Sequence, residues 1–93
     1  MIGRIEVLPE GRNVFLRIYS DIQESPMITT LGSCSDGRDS GCIVQGLISL
    51  LDEPDYAGVK SVGIKYCKVG NDSLWKLRNC ALGVDVYSFG GRD

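Results

Sequence analysis

The 93-residue chain predicts a small α+β domain: a mainly antiparallel sheet of roughly four to six strands, with one α-helix packed on one face, in the order ββ(β)αβββ. Three observations lead there. Alternating apolar and polar residues recur near both ends of the chain. One stretch in the middle, "CIVQGLISLLDEP", has helical spacing instead. Clusters of Gly, Pro, Asn and Asp separate these runs. The length predicts one domain over residues 1–93, with "GGRD" at its end as a frayed tail. A chain this short buries only roughly 60–65% of the surface that it exposes when unfolded, so a thin core is expected.

"GRIEVL" sets Ile5 and Val7 against Arg4 and Glu6, the alternation of a half-buried strand. "PEGRN" then supplies turn chemistry, and "VFLRIYS" alternates again, so the two runs form a hairpin. "PMITTL" fits a short edge strand, because proline is tolerated at a strand start.

The helix follows. Ile43, Leu47 and Leu50 share a face that Val44, Ile48 and Leu51 widen. Asp39 or Ser40 can cap its first turn by accepting an N–H, and Pro54 limits its far end. Gly46 costs such a helix about 1 kcal/mol against alanine and suggests close approach to the sheet. "GVKSVGIKYCKVG" alternates once more, and "NDS" makes a turn. "LWKLRN" forms a strand with Trp75 and Leu77 on one side and Leu74, Lys76 and Arg78 on the other, and "ALGVDVYSF" closes the sheet.

Composition narrows the chemistry. There is no histidine, which removes the commonest general base and metal ligand. No apolar run is long enough to span a bilayer and the N-terminus lacks an apolar signal core, so a cytoplasmic protein without a membrane partner is expected. The four cysteines (Cys34, Cys42, Cys67 and Cys80) contain no C-x2-C knuckle. Neither metal nor cofactor is expected, and thiols are expected in a reducing compartment. Under oxidising conditions a Cys34–Cys42 bridge would close a short loop.

That loop, "LGSCSDGRDSGC" (Leu31 to Cys42), leads into the helix as a flexible surface connection. Asp36, Arg38 and Asp39 are its candidates for partner contact. A phosphate site at the helix N-terminus is the weaker option, because the two aspartates would repel the anion. Net charge is −2, yet from Ala57 to Cys80 there are five cations and one acid, against five cations and eleven acids elsewhere. Lys65, Lys68, Lys76 and Arg78 therefore form a candidate basic strand face for an acidic protein or for RNA.

"LISLLDE", followed some twenty residues on by "DSLWKLR", resembles the RelE/HigB superfamily of toxins, especially its phage-type branch. "ESPMITTL" (Glu24 to Leu31) is similar to a segment near that family's first helix, and the resemblance spans Ser25 to Phe89. It implies that Arg78 matches a strand arginine that contacts RNA phosphate, with Lys76 where a glutamate is usual. The family's arginine-bearing strand and basic catalytic segment have no counterpart in "VDVYSFGGRD", and this chain is acidic, so ribonuclease activity does not carry over with the resemblance.

Two functions are weighed on this basis. The first is a small cytoplasmic, non-enzymatic protein-interaction module, such as an inhibitor encoded by a phage or mobile element. The alternative is a RelE/HigB-like toxin, or a degenerate relative, acting on ribosome-associated mRNA. The sequence does not specify an oligomeric state.

Overall fold

A computed structural model describes residues 1–65 and 71–89. Strands β1 (Ile2–Glu10), β2 (Asn13–Ser20) and β3 (Met27–Thr30) precede helix α1 (Ser40–Leu51). A short 3₁₀ turn (Pro54–Tyr56), strand β4 (Ser61–Lys65), helix α2 (Asn71–Cys80) and strand β5 (Asp85–Phe89) follow. The five strands form one sheet in the order β3-β2-β1-β4-β5.

The hairpin, the short third strand and α1 form where the sequence places them. β1 and β2 pair antiparallel from Ile2↔Ser20 to Glu10↔Asn13. The two-residue turn between them needs a positive φ at its first position, and Gly11 supplies it at +62°. β3 extends the antiparallel half of the sheet along β2. In α1, Asp39 is the cap: its carboxylate accepts the N–H groups of Gly41 at 3.0 Å and Cys42 at 3.3 Å.

The second half departs from expectation. β4 pairs parallel to β1, and β5 parallel to β4, so the sheet is mixed. "NDSLWKLRNC" is a helix, not a strand, and the domain has two helices among its described residues. The topology supplies the reason. Parallel neighbours cannot be joined by a tight turn and need a crossover, usually a helix. Once β5 lies parallel to β4, the segment between them must cross the sheet, and α2 does so. Asp72 in the first turn and Arg78 in the last suit the helix dipole. Leu74 and Leu77, three residues apart, fall on one helical face and are buried, whereas Trp75 is 68% exposed. Of "ALGVDVYSF", only Asp85–Phe89 is strand, and Leu82 lies before it and is exposed.

The core lies on one side of the sheet. Ile5, Val7, Val14, Leu16, Ile18, Val62, Ile64 and Val86 face Ile43, Val44 and Leu47 of α1 and Leu74 and Leu77 of α2. No helix among the described residues is long and apolar enough to cross a membrane.

The Leu31–Cys42 loop is not a loose connection. Leu31 donates its N–H to Val14 O at 2.9 Å, and Gly37 donates to Arg12 O at 2.9 Å. Leu31, Cys34 and Gly37 are buried. The loop is thus tied to the tip of the β1–β2 hairpin. The nearest neighbours of Gly46 belong to this loop: a Cβ there would lie 3.0 Å from Leu31 and 3.1 Å from the Ser33 hydroxyl.

Candidate functional site

The sequence-predicted basic strand face is divided by the fold. Lys65 ends β4 and is exposed, while Lys76 and Arg78 lie on α2. Residues two apart on a helix point roughly 200° from each other, so Lys76 and Arg78 do not project together. Lys68 lies outside the described residues. Arg78 is also engaged locally: its Nε and Nη2 donate to Val86 O at 3.3 and 3.0 Å. It ties α2 to a carbonyl of the edge strand, a structural use of the side chain. Arg78→Ala is expected to cost about 1 kcal/mol of stability, the net worth of such a bond, measured by urea unfolding.

The loop candidates are also occupied. Asp36 accepts the backbone N–H of Arg38 at 3.0 Å and pairs with its guanidinium at 3.1 Å. Hydrogen bonding to the Arg38 side chain, then to its backbone, holds the Asp36 carboxyl below the ordinary carboxylate value. Asp39 fills the helix N-terminus as a cap, where an incoming anion would have to displace it. Cys34 and Cys42 are adjacent free thiols.

A richer surface lies on the other side of the sheet, which sequence alternation defined only as its polar side. Directly paired residues share a face. The registers therefore align Ile28, Arg17, Glu6, Gly63 and Tyr87 in one row across all five strands. Tyr19, Arg4, Ser61 and Asp85 form a second row. Phe15 stands opposite Leu8 and Thr30, and Lys65 opposite Phe89. Apart from Gly63, every described residue in these rows is half-buried or exposed.

This face is organised internally. Glu6 accepts from Arg17 Nη1 at 2.8 Å and from the Tyr19 hydroxyl at 2.8 Å. The Arg4 guanidinium lies 4.0 Å from the centroid of the Tyr19 ring, a cation–π contact. Tyr87 lies across Gly63 so closely that a Cβ on the glycine would come within 2.6 Å of the ring. Glycine here leaves room for the aromatic to lie flat on the sheet. The Tyr87 and Phe89 rings sit 6.2 Å apart, adding a tilted aromatic pair.

A cleft of about 720 Å³ opens near the C-terminal ends of α1 and α2, between residues that include Ile48, Tyr56, Val59 and Val84. Asp52 and Lys60 are the charged side chains in its lining. Among the described residues, no three His, Cys, Asp or Glu side chains converge to hold a metal. Compared with protein-family models and with curated proteins, the chain finds no match.

Proposed function

We propose that this chain is a non-enzymatic protein-interaction module, and that it engages its partner through the open face of the sheet. The Arg4–Tyr19–Glu6–Arg17 network carries this reading. It presents arginine and aromatic groups, the side chains most often dominant in protein interfaces, already held by one another. Side chains ordered before binding lose less entropy on complex formation.

Charge favours a protein over RNA. Glu6, Glu10 and Asp85 share the face with Arg4, Arg17 and Lys65, so a phosphate backbone would meet acids along its path. A protein surface of mixed charge and apolar character can complement both signs. Lys65, the exposed lysine at the end of β4, belongs to this surface.

The test is affinity purification followed by titration of whichever protein is recovered. Tyr19→Ala and Arg4→Glu are each expected to weaken that complex by roughly tenfold or more, with Lys76→Glu on α2 leaving it unchanged. Binding that survives both face variants would show that the surface is wrong. Co-purification of RNA, lost as salt rises, would overturn the protein reading itself.

A further inference from the structure

Cys34 and Cys42 are not equivalent thiols. Cys42 lies in the first turn of α1 and is half-buried. Its sulfur receives the Ser35 N–H at 3.2 Å and lies 3.8 Å from the Ser35 hydroxyl. Cys34 is buried, and its sulfur lies 3.4 Å from Asp36 O. The loop that holds them is fixed to the hairpin through Gly37, so the arrangement does not depend on a wandering segment.

Their acidities separate for the same reasons. Hydrogen bonding from Cys34, then from the Asp36 backbone, lowers Cys42 below the ordinary thiol value. Burial first, and the hydrogen bond to Cys42 second, push Cys34 up to about 11. The two thiols are thus shifted in opposite directions.

We propose that Cys42 and Cys34 form a thiol redox pair, with Cys42 as the nucleophile toward a hydroperoxide and Cys34 as the resolving thiol. The Cys42 thiolate attacks the terminal peroxide oxygen, and the O–O bond breaks. Cys42 becomes a sulfenic acid, and the departing oxygen takes a proton and leaves as an alcohol, or as water from hydrogen peroxide. Cys34 then attacks the Cys42 sulfur. The S–O bond breaks, the S–S bond forms, and the Cys34 proton leaves with the hydroxyl as water. Two thiols lose two electrons and one peroxide bond gains them.

The chain provides a direct readout. Trypsin cuts after Arg38, which lies between the two cysteines, so a bridge joins peptides 18–38 and 39–60. Treating the intact protein with one equivalent of hydrogen peroxide should yield that linked pair in a non-reducing peptide map. In the reduced protein at neutral pH, iodoacetamide is expected to label Cys42 about tenfold faster than Cys34 or more. Cys34→Ser should leave a sulfenic acid on Cys42 that dimedone traps, and Cys42→Ser should abolish both products. Far-UV circular dichroism establishes that each variant is folded. The proposal fails if folded protein gives no linked pair, or if the exposed Cys80 is oxidised before Cys42. It also fails if Cys34 is the faster of the pair to alkylate.

Discussion

Leu77→Ala is expected to destabilise the protein by about 2–5 kcal/mol, the range for deleting most of a buried leucine. Leu77 has 0% exposure and lies where α2 meets the core. Trp75→Ala, two residues earlier, is expected to cost less than about 0.5 kcal/mol, because its ring is already in solvent. The contrast tests the helix itself. On a strand, Trp75 and Leu77 would share a side and both truncations would be severe. On α2 only the leucine faces inward. For a domain of this size each 1 kcal/mol corresponds to a fall of roughly 4–8 °C in Tm. Thermal and urea unfolding of the two variants therefore separate the alternatives, and equal losses would remove α2 from this position.

Gly37→Ala is expected to cost about 2–3 kcal/mol, an unusually large effect for one methyl group in a loop. The cause is space. A Cβ on Gly37 would stand 2.6 Å from Asn13 O and 3.0 Å from both Gly11 O and the Val14 side chain. Two of those neighbours are backbone atoms of the hairpin tip, which cannot rotate away as a side-chain end could. Gly32→Ala is the control, since nothing lies within 4 Å of its Cβ position. It should be near neutral. Urea unfolding gives both values, and a neutral Gly37→Ala would show that the loop is not seated on the hairpin.

These variants mark where sequence reading succeeded and where it stopped. The alternation of Ile5 and Val7, and of Val14, Leu16 and Ile18, left one arrangement for the hairpin, because only one register buries both sets. Around Gly11 the turn chemistry agreed with that register. The α1 face was legible for the same reason, with a long apolar stripe and an aspartate at its start.

"LWKLRN" was ambiguous. Its apolar residues satisfy a strand period through Trp75 and Leu77, and a helix period through Leu74 and Leu77. A segment that short does not separate the two. The candidate surface was legible in part. Arg4, Glu6, Arg17 and Tyr19 could be placed opposite the core, but their mutual contacts depend on pairing between strands. The cations after Val59 cluster in sequence, and the helix directs Lys76 and Arg78 apart.

By itself, then, the sequence determined the hairpin, the first helix with its cap at Asp39 or Ser40, and a core confined to one side of the sheet. Each rests on local period and turn chemistry, which neighbouring residues specify among themselves. Tertiary structure decided the parallel placement of β4 and β5, the helical state of Asn71–Cys80, the seating of Gly37 and the assembly of the Arg4–Tyr19–Glu6–Arg17 network. Those depend on partners far apart in the chain: β1 between β2 and β4, α2 against α1, and a loop glycine against backbone oxygens of a distant turn. Period along the chain indicates which side of a residue is buried, and only the completed packing indicates against what.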